Sequence, residues 1–238
     1  MEYDDEPTGH IFTRRELLVL LGAAGASVLT GSRLRAGDEV IDPVQCVARP
    51  QQTEGPFFVD ERLNRGDIRS DPTDGSVPAG VPLALTFLVS RLTGSSCAPL
   101  PDSYVDVWQC DALGAYSDVA GSPTAGRKFL RGYQTTDADG RAAFTTIYPG
   151  WYQGRTVHIH FKIRTALAST GYEFTSQLYF PDALTDTVHA QQPYAARGAR
   201  RVRNAGDGIF RNGGDQLMLA PTTAGTGYAA TFHVALQV

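Results

Sequence analysis

The chain has 238 residues, of which 42% are hydrophobic and 19% charged, and its formal net charge is −4. This is an ordinary globular composition, so it argues against a largely disordered chain. The mildly acidic balance also argues against a nucleic-acid partner, because such proteins carry an excess of positive charge.

The first predicted element is an export signal. Arg14 and Arg15 precede an apolar run over residues 17–29 that is rich in Leu, Ala, Gly and Val. A paired arginine before a modestly hydrophobic stretch is typical of twin-arginine signal peptides, and the run is shorter than the about 20 apolar residues of a membrane-spanning helix. We therefore predict a signal peptide over 1–36 and one mature domain over 37–238. The mature protein is expected in the periplasm or outside the cell, free of the membrane after the signal is cleaved. A surface helix with two arginines is the alternative.

Three cysteines bear on the compartment. An oxidising compartment permits one disulfide and leaves one thiol free. Cys110 falls in an apolar strand, where a buried free thiol is expected. The sequence leaves the pairing open, and we favour a bond between Cys46 and Cys97.

Short β-strands are predicted throughout the mature chain, because apolar and polar residues alternate between turn signals and long amphipathic helices are absent. Asp139 and Gly140 form a strong hairpin signal, favoured over a calcium loop because the required downstream glutamate is missing. Regularly spaced short strands predict an all-β fold, a β-sandwich of mainly antiparallel strands. The predicted strands are 82–89, 104–110, 141–147, 156–163, 172–180 and 230–238.

The segment after residue 182 is rich in Ala, Arg and Gly. We interpret it as a loop that flanks a pocket or makes contacts. Its four arginines, between residues 197 and 203, are predicted to form a solvated surface.

The strand over 156–163 carries the first candidate site. Successive side chains point to opposite faces of a strand, so its alternate apolar residues face the core while His158, His160 and Lys162 share the other face. Two imidazoles spaced in this way suit a single metal ion. The pair alone does not distinguish zinc, copper, iron and manganese, since imidazole binds most of them.

Two turns bring further candidate groups. The turn at Pro149-Gly150 leads into the histidine strand, so Tyr152 and Arg155 are held close to both histidines. A turn at Gly114 follows the strand over 104–110 and presents Tyr116.

These residues carry a family resemblance. The stretch 129–163, FLRGYQTTDADGRAAFTTIYPGWYQGRTVHIHFKI, is similar throughout to the core of intradiol ring-cleavage dioxygenases, in particular the protocatechuate 3,4-dioxygenase β-subunit type and its exported relatives. The segments VDVWQCDALGAYS, TEGPFF and SQLYFPD resemble further parts of the same family. The resemblance runs from about residue 46 to 182.

The resemblance implies a function and a set of site residues. It implies loops that form a metal pocket, with Fe(III) bound by Tyr116, Tyr152, His158 and His160. Tyr152 would leave the metal when a catechol binds and accept a substrate proton. Arg155 would stabilise negative charge on the substrate or intermediate, and Gln177 would lie near His160.

The implied reaction opens a catechol between its two hydroxylated carbons with O₂ and gives a cis,cis-muconate-type diacid, without an external reductant. Phe57 and Phe58 stand where many relatives carry a tyrosine, which removes a phenol from the expected pocket wall. Relatives assemble as homo- or hetero-oligomers; the sequence does not decide between them, and a homo-oligomer is the favoured expectation. The preferred catechol is not predicted.

Two alternatives stay open. A zinc hydrolase or hydratase on the His-x-His strand would need a third His or a carboxylate; His189, in a predicted loop, and His233, on a strand, are interpreted as structural. A non-catalytic β-sandwich that binds an aromatic or carbohydrate ligand is the other. Colour distinguishes them, because phenolate-to-ferric charge transfer occurs only in the dioxygenase.

Overall fold

The computed structural model describes residues 46–168 and 171–238. The predicted signal peptide and the start of the predicted mature domain lie outside the described residues. Within the described part of the chain, no helix is long and apolar enough to cross a bilayer. Export by the twin-arginine route therefore stays a prediction.

Nine strands, one short α-helix and three short 3-10 helices make up the regular structure of the described residues. The strands build two sheets. The six predicted strands are all present, one with the predicted bounds (141–147) and five with shifted ends. The elements are β1 Pro82–Thr93, β2 Ser96–Pro99, β3 Tyr104–Trp108, β4 Arg131–Thr135, β5 Arg141–Ile147, β6 His158–Arg164, β7 Glu173–Tyr179, α1 Asp182–His189, β8 Thr222–Ala224 and β9 Gly227–Leu236.

The two sheets have different topologies. In the first, β1 pairs in parallel with β9 on one edge, and on its other edge it pairs antiparallel with β2 at one end and β5 at the other. In the second, β4, β3, β6 and β7 are neighbours in that order and all pairs are antiparallel. The prediction of an all-β sandwich with mainly antiparallel strands is confirmed.

The core lies between the sheets. Phe87 of β1 and Phe232 of β9 meet Phe161 of β6, with ring centroids 5.2 Å and 5.6 Å from it. All three side chains are fully buried. Because alternate residues of β6 are committed to this core, its remaining side chains must project from the outer face of the second sheet.

The hairpin predicted at Asp139-Gly140 is wrong. The residues do form a tight turn, in which Gly140 N donates to Asp137 O at 2.9 Å. However, β4 before the turn pairs with β3, whereas β5 after it pairs with β1 in the other sheet. A turn signal fixes a reversal of the chain but not the partner of each strand, and here the chain crosses between the two sheets.

The disulfide prediction is confirmed. Cys46 and Cys97 are bonded, with Cα atoms 5.5 Å apart, and Cys110 is free and buried. The bond fixes the start of the described chain to β2. From there the segment 46–58 crosses the outer edge of the sandwich towards β6 and β7, and Ser176 Oγ of β7 donates to Pro50 O at 2.8 Å.

The segment after β7 contains two departures from prediction. His189 is not in a loop but is the last residue of α1, and its Nε2 lies 3.0 Å from Pro149 O. Arg200 is not solvated, because its side chain is 4% exposed and is paired with Asp182 and Asp186 of α1. The helix offers two carboxylates on one side, and Arg200 uses them to hold the following loop in place.

A buried carboxylate holds the loop that precedes β1. Asp71 accepts hydrogen bonds from Thr73 N and Oγ1, from Arg127 Nε and from Lys128 N, at 2.6–3.1 Å. Burial raises the pKa of Asp71, but these hydrogen bonds outweigh burial and lower the pKa to about 2 from 3.8.

We expect Asp71→Asn to lower the free energy of unfolding at neutral pH by about 1–2 kcal/mol, because a depressed carboxyl pKa stabilises the fold. The lowered pKa means that this contribution is present above pH 3.8 and is lost as pH falls through about 2. Urea titrations at several pH values measure the difference, and Asp74→Asn in the same loop is the control, since the ion pair of Asp74 is exposed to solvent and contributes little to stability. A difference between wild type and Asp71→Asn that does not shrink in acid would contradict this account.

Candidate metal centre

The two histidines of β6 form the floor of the candidate site. His158 and His160 are buried on the outer face of the second sheet, and their Nε2 atoms are 3.0 Å apart. The predicted alternation is confirmed, because Ile159 and Phe161 between and beyond them belong to the core. Trp108 of β3 stacks on the His160 ring at 5.0 Å with an interplanar angle of 8°, which fixes the plane of the ring.

The two predicted tyrosines reach the same point. Tyr152 Oη is 3.1 Å and Tyr116 Oη 3.5 Å from His158 Nε2. Their rings lie edge to face with centroids 5.6 Å apart. Two loops that are distant in sequence therefore place two phenols beside the two imidazoles, as predicted.

The loops can meet because two glycines remove side chains from their contact. A Cβ on Gly114 would lie 2.2 Å from Trp151 O, and φ of Gly114 is +83°, a conformation that L-residues rarely adopt. A Cβ on Gly150 would lie 2.4 Å from Ala112 O. Gly150 N donates to Asp111 O at 3.0 Å across the contact. The backbone-to-backbone approach sets how far Tyr116 stands from Tyr152.

The protonation of these groups follows from burial. Burial, with Arg155 adding to the effect, lowers the pKa of His158 to about 3, and burial lowers the pKa of His160 well below its usual value. Burial likewise raises the pKa of Tyr116 well above 10 and that of Tyr152 to about 12. Without a cation the four groups are neutral, and converting the phenols to phenolates requires a positive charge at their point of convergence.

The donor set fits a metal ion. His158 Nδ1 lies 2.6 Å from Thr156 O, so it carries the proton and leaves the Nε2 lone pair facing the phenols. The donor atoms around His158 Nε2 are 3.0–3.5 Å away, which is the separation of atoms that share one ion at about 2 Å. Four side chains could therefore bind one metal: Tyr116, Tyr152, His158 and His160.

No cluster of three or more His, Cys, Asp or Glu side chains that could hold a metal occurs among the described residues. His233 lies on β9 in the other sheet, and His189 stacks on Tyr194 at 5.0 Å. Neither joins the pair on β6. The third imidazole or carboxylate that a zinc hydrolase requires is thus not found in the described part of the chain.

Arg155 and Gln177 lie beside the four donors. Gln177 is fully buried and is the register partner of His160 in the β6–β7 pairing. Arg155 Nη2 donates to Gln177 Oε1 at 2.6 Å, and Arg155 Nη1 is 3.5 Å from His158 Nε2. Both predicted residues are therefore in contact with the cluster, and one guanidinium nitrogen is directed at it.

Asp207 is a further residue of the site that the sequence did not predict. Its buried carboxylate accepts hydrogen bonds from Arg155 Nε at 2.8 Å and from Thr156 N at 2.7 Å. Burial raises the pKa of Asp207, but hydrogen bonds from Phe210 N, Thr156 N and Arg155 hold it below its ordinary value. No pattern indicated this role, because an Asp-Gly pair in a Gly-rich stretch predicts only a turn.

The segment 46–58 forms one side of the site. Thr53 O accepts a hydrogen bond from Gln177 Nε2 at 2.9 Å. Phe57 stacks on Tyr116 at 4.3 Å and meets Tyr152 edge-on at 5.9 Å. Phe58 packs on Trp108 at 4.8 Å and lies under Lys162. The wall next to the phenols is thus aromatic and apolar, as the replacement of tyrosine by phenylalanine predicted.

The sequence profile of a dioxygenase family matches residues 53–200. Over 146 residues, 56% of this chain, the sequence is 33% identical to the protocatechuate 3,4-dioxygenase beta chain of Burkholderia cepacia, and the match spans 61% of that protein. The hydroxyquinol 1,2-dioxygenase of Corynebacterium glutamicum is 26% identical over 42% of its length. The match to this chain thus spans less than two thirds of the length of these curated relatives.

Solved structures match over more of their length. An intradiol ring-cleavage dioxygenase from Tetranychus urticae superposes with a TM-score of 0.70 at 28% identity, covering 81% of this chain and 95% of that one. The dioxygenase domain of a dioxygenase–carbohydrate-binding fusion from Streptomyces sp. SirexAA-E superposes with a TM-score of 0.59 at 31% identity, covering 81% and 99%. The whole sandwich of those domains is therefore present in this chain.

Proposed function

Because this chain belongs to the intradiol ring-cleavage dioxygenase family, we propose that it opens catechol-type rings between the two hydroxylated carbons with O₂. The metal we propose is Fe(III), bound by Tyr116, Tyr152, His158 and His160. The observation that carries the proposal is the convergence of two phenol oxygens and the His160 Nε2 atom within 3.0–3.5 Å of His158 Nε2.

The donor types support a ferric ion. Phenolate is a hard anionic oxygen donor, and two phenolates offset most of the charge of Fe³⁺ in a site where an unpaired charge would be costly. When bound, the ferric ion would supply the Lewis acidity that favours ionised phenols and catechols, and the electron-accepting partner for ring activation. Copper and zinc do not require two phenolates, and their usual sites are built from His, Cys and carboxylates.

The two tyrosines differ in burial and in packing. Tyr116 is 4% exposed and is held against Phe57 by stacking, whereas Tyr152 is only partly buried and follows the turn at Pro149-Gly150. We assign Tyr152 as the phenolate that gives way to the substrate and accepts one of its protons. Tyr116 then stays in place as a fixed donor throughout the reaction.

Arg155 stabilises negative charge on the bound substrate, and Gln177 holds Arg155 in place. The N–H groups of Arg155 Nη1 face the point where the substrate oxygens would bind, so they can stabilise negative charge that spreads from those oxygens into the ring. Gln177 cannot contribute a charge, but it joins Arg155 to Thr53 O and so keeps the guanidinium beside the histidine strand.

The products and the oxygen stoichiometry test the function. We expect the purified, iron-loaded protein to consume one O₂ per catechol and to release a cis,cis-muconate-type diacid, with both oxygen atoms from ¹⁸O₂ found in the product. No external reductant should be needed. Release of an aldehyde-bearing product from cleavage outside the two hydroxyls, or no consumption of O₂ with any catechol, would rule the proposal out.

Two further expectations go with the proposal. We propose that the protein is exported by the twin-arginine route, and the Cys46–Cys97 bond supports an oxidising compartment. We also propose a homo-oligomer, for which the family resemblance is the support.

A further inference from the structure

Asp207 lies outside the set of residues that the sequence predicts, yet one of its carboxylate oxygens is bound to Arg155 and to the residue after it. One carboxylate oxygen accepts from Arg155 Nε at 2.8 Å and Thr156 N at 2.7 Å. The other accepts from Ile209 N at 2.8 Å and Phe210 N at 3.0 Å. The carboxylate is 1% exposed, so it is fixed in its loop before it meets the arginine.

The consequence for Arg155 is geometric. A guanidinium is a rigid planar fork, so two fixed nitrogens determine the direction of the third. Asp207 holds Nε and Gln177 Oε1 holds Nη2 at 2.6 Å. Nη1 is then left directed at the cluster, 3.5 Å from His158 Nε2.

Asp207 also connects to the histidine through the backbone. It accepts the N–H of Thr156, and the carbonyl oxygen of Thr156 lies 2.6 Å from His158 Nδ1. One buried carboxylate thus fixes Thr156, the residue two positions before β6 whose carbonyl orients the first histidine. In the same segment, Asn204 Oδ1 accepts a hydrogen bond from Thr156 Oγ1 at 2.7 Å, but Asp207 is the residue that also binds Arg155.

We propose that Asp207 is a positioning residue for the ring-cleavage reaction, which directs Arg155 Nη1 at the substrate without touching the substrate itself. The inference rests on the proposed function. Because a misdirected guanidinium loses interactions made with charge that develops in the transition state, kcat should suffer more than substrate binding.

A purely structural role makes a different prediction. Asp182 anchors the same segment through Arg200, with a 2.5 Å contact, at a point not in contact with Arg155. If Asp207 only attached the loop, Asp182→Asn and Asp207→Asn would have similar effects on activity. Asp182→Asn is therefore the matched control.

The experiment is a double-mutant cycle on the iron-loaded protein with Asp207→Asn, Arg155→Lys and the double variant. We expect Asp207→Asn to lower kcat by about 10- to 100-fold, with the dissociation constant of an anaerobically added catechol changed less than about threefold. The double variant should lose no more than Arg155→Lys alone, and Asp182→Asn should retain kcat within about twofold. Iron content and the thermal midpoint are measured for every variant.

Several results would overturn the inference while leaving the proposed function intact. One is that the losses of kcat in Asp207→Asn and Arg155→Lys multiply in the double variant, and another is that Asp182→Asn loses as much kcat as Asp207→Asn. The others are that kcat of Asp207→Asn falls only in proportion to its iron content, or that it does not fall at all. If Asp207→Asn does not fold, Asp207→Glu keeps the charge but shifts it, and full activity of that variant would contradict the positioning role. An inactive wild type would instead overturn the proposed function.

Discussion

His160→Gln is expected to abolish iron binding and to lower ring-cleavage activity by about a thousandfold or more, as for loss of a central catalytic group. The side chain that replaces the imidazole is similar in length, but it does not place a nitrogen lone pair 3.0 Å from His158 Nε2. Iron per chain and oxygen uptake measure the effect. The protein should remain folded, because the core face of β6 is unchanged.

His189→Gln is the matched control. His189 is also a buried histidine, but it stacks on Tyr194 and lies outside the cluster. It should lower stability without lowering iron content. Equal loss of iron in the two variants would contradict the assignment of the β6 histidines as the metal ligands.

Gly150→Ala is expected to separate the two tyrosine loops. The added methyl would lie 2.4 Å from Ala112 O and 2.5 Å from Asp111 O, and backbone atoms cannot yield as a flexible side chain does. Overpacking of this kind costs about 1–3 kcal/mol. Because the loop after Asp111 carries Tyr116, the larger effect should be on the site: the Tyr116 phenol moves away from Tyr152, and iron is lost or held by three ligands.

Thermal unfolding, iron content and activity are measured together, with Gly75→Ala as the control. Gly75 lies in the loop before β1, with φ +74° and open space around it, so alanine there costs only backbone strain, of order 1–2 kcal/mol. That variant should be less stable but fully active per iron. Normal iron content and activity in Gly150→Ala would contradict the role given to the contact between the loops.

The parts of the fold that the sequence predicted are those in which one local rule is decisive. The period of two along β6 is enough to place His158 and His160 on one face, because one side of the strand is entirely apolar. The buried free thiol of Cys110 was expected from its apolar surroundings, although β3 ends before it at Trp108. The bond between Cys46 and Cys97 was favoured, but the sequence left the pairing open.

The parts that were missed depend on partners distant in sequence. β4, with the sequence RGYQT, has no apolar alternation and forms a strand because β3 pairs with it. The turn at Asp139-Gly140 was recognised, but the sheets on its two sides were not. α1 has only eight residues and few apolar ones, so it presents no stripe that would indicate a helix.

The candidate site shows the same division. Tyr116 lies 42 residues before His158, and no spacing rule connects them; the family resemblance did. Asp207 contacts Arg155 across 52 residues, and an Asp-Gly pair gave no sign of it. The assignment of the four side chains as iron ligands remains a prediction, although their convergence is now established.

The most direct test of the central claim is a visible absorption spectrum of the purified protein with its metal content, repeated after a catechol is added without oxygen. If two phenolates bind ferric iron, the protein contains about one iron per chain and shows a broad charge-transfer band, which shifts to longer wavelength as the catechol binds. A protein that stays colourless after reconstitution with iron, or that retains zinc instead, would contradict the ferric tyrosinate site and the dioxygenase function built on it.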